Sequence, residues 1–84
     1  MIKQWQVKHI ELFDILNAAK IFHSDWEILI DSALKKIYPD CPDKVIYRAI
    51  ENAVDKGYLE YGTSCRSSWL TDKGKKNLKE LANE

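Results

Sequence analysis

No run in this sequence approaches the roughly eighteen apolar residues that a membrane-spanning helix needs. Its first residues also lack the charged, apolar and small-residue succession of a secretory signal. A cytoplasmic protein with no membrane partner is expected. Cysteine is scarce: Cys41 and Cys65 lie far apart and match no metal-ligand spacing, so two thiols in a reducing compartment are expected rather than a disulfide framework. His9 and His23 would stand at opposite ends of one helix, and no metal site is expected from these four residues. No phosphate loop, hydrolase elbow or paired-acid signature occurs. A chain of 84 residues is also small for a deep substrate pocket. Neither an enzyme nor a cofactor is therefore expected. Internal repeats, low-complexity segments and linkers are missing too, so residues 1–84 read as one domain, near the small end of what folds alone.

Charge of one sign is lacking as well. Thirteen basic and thirteen acidic side chains cancel, whereas an autonomous DNA binder usually carries a basic excess that supplies its non-specific affinity. Only the face that meets phosphate must be positive, so neutrality lowers the expectation of nucleic-acid binding without deciding it. By segment, residues 24–41 carry two basic and four acidic side chains, and 57–84 carry five and four.

What is present is helical periodicity followed by a short β-prone passage. Trp5 and Val7 are too apolar for a free tail. From His9 to about Phe22 the pattern is helical, with Leu12, Ile15, Leu16, Ala19 and Phe22 on one face and Ile10, Phe13 and Ile21 towards the other. A helix apolar around most of its circumference must be covered around most of it, by the N-terminal segment or a partner subunit. Ser24-Asp25-Trp26-Glu27 has the form of a capping box, which predicts a second helix from Asp25 to about Ile37. Its stripe is Trp26, Leu29, Ile30, Ala33, Leu34 and Ile37, with Ile28 opposite. The surplus apolar residues Trp5, Ile10, Phe13 and Ile28 are the candidate homodimer interface.

Pro39 and Pro42 forbid continuous helix and predict a stiff, short turn. A third helix over about 42–56 would bury Ile46, Ala49, Ile50 and Ala53, with Val54 at the margin, and close on Gly57. Tyr58–Tyr61 and Ser68–Leu70 are β-prone runs around a polar loop, so a hairpin over 58–70 is expected. Thr71 is the expected N-cap of a last helix over about 72–82.

This order, and in particular Gly57-Tyr58-Leu59-Glu60 followed by Leu70-Thr71-Asp72-Lys73-Gly74, resembles the recognition helix, wing and LTxxG helix of MarR- and PadR-type winged helix-turn-helix regulators. The resemblance covers roughly residues 42–81. It implies a mainly α fold with a small β-hairpin (α+β): a three-helix core, a two- or three-stranded wing and a C-terminal helix. Sequence-specific duplex DNA binding in transcription regulation, by a homodimer, is the function it implies; winged helices also serve as protein-binding adaptors or inhibitors, so that alternative stays open.

On the third helix, Lys44, Arg48, Glu51 and Asp55 run down the exposed face, flanked by Tyr47 and Asn52. Bases early and acids late oppose the helix macrodipole. Presentation of the N-terminal half to a major groove would account for that order: Lys44 on phosphate, Arg48 on guanine, Asn52 on adenine. The other reading is a solvated face with Arg48 and Glu51 paired one turn apart. Arg66, at the wing tip, is either a minor-groove or phosphate contact or part of an ordinary polar turn. Lys73, Lys75, Lys76 and Lys79 form the densest basic cluster, facing outward; Lys75 and Lys76 are the candidate phosphate contacts, and solubility is the plainer explanation. Cys41, just ahead of a helix, reads as a half-buried turn cysteine or as a thiol with a favoured thiolate.

Overall fold

Leu16 and Ala19 are wholly buried in the middle of the first helix, α1 (Leu12–Ser24). They lie at the centre of a computed structural model that describes residues 5–25, 27–62 and 67–83. Around α1 are packed α2 (Ile30–Ile37), α3 (Asp43–Asp55) and α4 (Asp72–Ala82), together with a two-strand antiparallel sheet of β1 (Leu59–Glu60) and β2 (Trp69–Leu70). The chain is thus mainly helical with a small antiparallel sheet, as expected. The face of α1 that bears Ile15, Leu16 and Ala19 is covered by α2, α3, α4 and β2 of the same chain, whereas Phe13 and Ile21 on the surplus face stay exposed at 36% and 37%. Periodicity shows that a face must be buried but not by what.

The core joins Leu16 to Ile30 and Leu34 of α2, Ile46 and Ile50 of α3, Leu59 of β1 and Leu78 of α4. Removing each such side chain from water contributes about 2 kcal/mol. The buried face of α3 is the one its spacing predicts, Ile46, Ala49, Ile50 and Ala53, with Val54 half-buried.

Two helix starts differ from expectation. Val7–His9 form one turn of 3₁₀ helix, and Ile10 leaves it in extended conformation. Gln6 N–H donates to His9 Nδ1 at 3.0 Å, which closes that turn from the front. The α-helix begins only at Leu12, because Ile10 is drawn into the core, where it is 5% exposed.

The capping box at Ser24 does not form either. α1 continues through Ser24, whose hydroxyl donates back to the Lys20 carbonyl at 3.5 Å. The Asp25 carboxylate then accepts from Glu27 N–H at 3.1 Å, the local bonding by which Ser and Asp compete with helix starts. α2 therefore starts five residues later than expected, after Leu29, which provides no side-chain cap. Ile37 of the expected stripe is 51% exposed, and Ile28 is half-buried against the core. Trp26 lies outside the described residues.

The exit from α3 is a double carbonyl cap. Tyr58 N–H donates to Ala53 C=O at 3.0 Å and Gly57 N–H to Val54 C=O at 2.9 Å, with Gly57 at φ +85°, where a side chain is strained. The strands pair Leu59 with Leu70 and Glu60 with Trp69, a register that turns Leu59 inward. Thr71 caps α4 as its sequence position predicts, accepting from Gly74 N–H at 3.0 Å.

Candidate nucleic-acid interface

The turn before α3 fixes how that helix is presented. Cys41 N–H donates to Tyr38 C=O at 3.1 Å across the Pro39-Asp40 bend. The Lys35 ammonium reaches from α2 to the Cys41 carbonyl at 2.5 Å and to the Asp43 carboxylate at 3.3 Å. Cys41 is not the half-buried turn residue expected: it is wholly buried among the core side chains, where an oxidant has little access. Below the turn, the Tyr38 hydroxyl donates to Asp14 at 2.5 Å and accepts from Glu11 N–H at 3.2 Å. Burial pushes the Tyr38 phenol above its ordinary pKa, and the Asp14 carboxylate adds to the rise. These contacts tie α2 and the start of α1 to the entry of α3.

Upon this frame Lys44, Arg48 and Asn52 are all exposed. They stand four residues apart, about 6 Å of rise per step, in one row along α3. Among the described residues, neither Lys44 nor Arg48 makes an ion pair; the expected alternative of an Arg48–Glu51 pair is not formed, and Lys35–Asp43 is the ion pair present. Tyr47 behaves differently. Half-buried, it turns its hydroxyl to the Asp31 carboxylate on α2 at 3.4 Å, so it holds α3 against α2 rather than facing solvent.

The remaining expected contacts are not gathered at α3. Arg66 and Cys65 lie outside the described residues. Lys75 borders a cleft formed by α1, β2 and α4, to which α3 contributes no residue. Lys76 is exposed on α4.

Lys73 is exposed, as expected, but does not stand free in solvent. Instead its ammonium donates to the Lys56 carbonyl at 2.7 Å and lies 4.7 Å from the centre of the Tyr58 ring. A cation is thereby placed at the C-terminal end of α3, whose last turn contains no base of its own. The acid-late order of α3 was the available signal that a cation from elsewhere would sit there.

The candidate dimer residues do not form one exposed patch. Ile10 is in the core; Trp5 is half-buried, edge-on to His9 and Tyr38 at 5.9 Å and 6.0 Å between ring centres. Ile28 packs on the core, and Phe13, at 36%, is the exposed member. Among the described residues no group of three or more His, Cys, Asp or Glu side chains is placed to hold a metal ion. No described helix is long and apolar enough to cross a membrane.

Comparison with known proteins gives no relative: no family model, curated protein or solved structure matches this chain.

Proposed function

We propose that this chain is a small winged helix that binds duplex DNA through α3 and acts in transcriptional control. The observation that carries the reading is the pair Lys44 and Arg48, exposed on successive turns of α3 and making no ion pair with any described residue. A cation already held by a carboxylate would have to leave it before meeting phosphate. In this reading Lys44 meets the backbone, Arg48 forks onto a guanine edge and Asn52 reaches an adenine. The β1–β2 hairpin stands as the wing, with Arg66 as a supplementary contact. Lys76 adds backbone attraction, and Lys75 is left out because it borders the cleft on the side of α1 and β2. Two copies would set their third helices one DNA turn apart.

The test is fluorescence anisotropy with a labelled mixed-sequence duplex at low salt. Binding is expected to weaken as salt rises. Lys44→Ala should weaken binding on all sequences and lower the salt slope by about 1, whereas Arg48→Ala should also relax sequence preference. Absence of binding, or binding that both substitutions leave untouched, overturns the reading. A protein-binding adaptor then takes its place. The net charge of zero and the exposed Asp43, Glu51 and Asp55 on the same helix favour that second reading.

A further inference from the structure

An open cleft of about 910 Å³ runs between the C-terminal half of α1, β2 and α4. Its floor is apolar: Phe22 from α1, Trp69 and Leu70 from β2, and Leu78 from α4. Trp69 is 43% exposed, a large indole with water on one side. Cations flank this floor on both helices. Lys20 stands on α1, one turn from His23, and Lys75 and Lys79 stand one turn apart on α4. Among the described residues no carboxylate side chain lines the cleft, although the chain as a whole has as many acids as bases. Glu60, which pairs with Trp69 across the sheet, is not among the lining residues.

We propose that this cleft docks an acidic amphipathic helix from a partner protein. Charge complementarity selects the occupant. Two cationic rails about an apolar trough match a rod with an apolar stripe between two acidic flanks, the groove mode of helix recognition. A single carboxylate on a small ligand would engage one rail and leave the other unused. An open cleft also suits a rod better than a small ligand, since small ligands are enclosed over most of their surface. The proposal is independent of DNA binding by α3, which supplies no lining residue.

The probe is a fluorescein-labelled synthetic peptide of about fourteen residues, some 20 Å of helix, with leucines at i, i+3, i+4 and i+7 and glutamates on both flanks. Its control keeps the leucines and replaces each glutamate by lysine. With the full chain, the glutamate peptide is expected to bind and the lysine peptide to bind at least tenfold more weakly. Lys75→Glu with Lys79→Glu should reduce glutamate-peptide affinity about tenfold and improve lysine-peptide affinity, since like charges across an interface are penalised. Lys20→Glu, on the opposite rail, should act in the same sense, and provides the test if the double variant fails to fold. Lys44→Ala should leave peptide binding unchanged. Equal binding of both peptides, binding of neither, or glutamate-peptide binding indifferent to reversal on either rail overturns the proposal. So does a long-chain fatty carboxylate that binds the cleft when the glutamate peptide does not.

Discussion

Gly74 lies against the backbone of Tyr58 so closely that a Cβ on it would stand 2.1 Å from the Tyr58 carbonyl oxygen. That oxygen accepts from Thr71 N–H at 3.1 Å, so the first turn of α4 is pressed onto the start of the sheet. An alanine there would gain up to about 1 kcal/mol of helix propensity. It would also force apart two backbone segments that have no flexible side chain to yield. Overpacking wins: Gly74→Ala is expected to lower stability by about 2 kcal/mol net, read as a reduced urea midpoint with little change in slope. A neutral or stabilising result would mean that α4 does not approach β1 in this way.

Thr71 joins two elements through one hydroxyl. It donates to the Gly57 carbonyl at 2.5 Å and accepts from Gly74 N–H at 3.0 Å, linking the end of α3 to the start of α4. Loss of the cap alone costs about 1 kcal/mol, and loss of the partner for the Gly57 carbonyl adds a similar amount. Thr71→Val is therefore expected to lower stability by about 2 kcal/mol, and Thr71→Ser, which keeps the hydroxyl, by much less. Thermal unfolding of the two variants side by side checks this. Equal losses would mean that the two hydroxyl bonds are not what Thr71 contributes.

Lys35 bonds two partners that differ in worth. The ion pair with Asp43 joins side chains 43% and 74% exposed, and such pairs contribute about 0.5 kcal/mol or less. The bond to the Cys41 carbonyl is part-buried and holds the turn. Asp43→Asn should thus shift stability by no more than about 0.5 kcal/mol, while Lys35→Met should cost about 1.5 kcal/mol. Chemical denaturation separates the two; an effect of Asp43→Asn as large as that of Lys35→Met would show that the ion pair, not the carbonyl bond, secures the entry of α3.

Sequence reading succeeded where one residue's own conformation decides the outcome. Gly57, Thr71 and the stripe on α3 are local signals, and each performs its expected role. It failed where two local options compete. Ser24 and Asp25 could begin a helix or finish the previous one, and the finish prevailed. Ile10 fitted the helical period yet entered the core in extended backbone. Long-range partners were not legible at all. Lys73 read as one of four solvated lysines until α4 was placed beside the end of α3. Tyr47 likewise read as a flank of the exposed face until α2 brought Asp31 to it. Of the candidate interface, the exposure of Lys44, Arg48 and Asn52 follows from helical spacing, whereas the cleft between α1, β2 and α4 depends on contacts that spacing does not encode.

Tyr38 makes stability depend on pH at the alkaline end. Its folded-state pKa is raised above the ordinary tyrosine value of 10.0, first by burial and then by the bond to Asp14. A raised pKa means that the folded chain holds the proton more tightly than the unfolded one. The contribution is fully present below about pH 10 and is lost as pH rises through the folded value. Tyr38→Phe removes both the bond to Asp14 and the acceptor for Glu11 N–H, and should cost about 2 kcal/mol at pH 7. The difference between the native chain and the variant should hold constant from pH 6 to about pH 9 and shrink above about pH 10. Other tyrosines and lysines titrate in both proteins, so subtraction isolates Tyr38. Urea titrations at pH 7, 9, 10.5 and 11 read the difference directly. A gap that stays constant through pH 11 would mean that the hydroxyl is no better shielded in the folded chain than in the unfolded one.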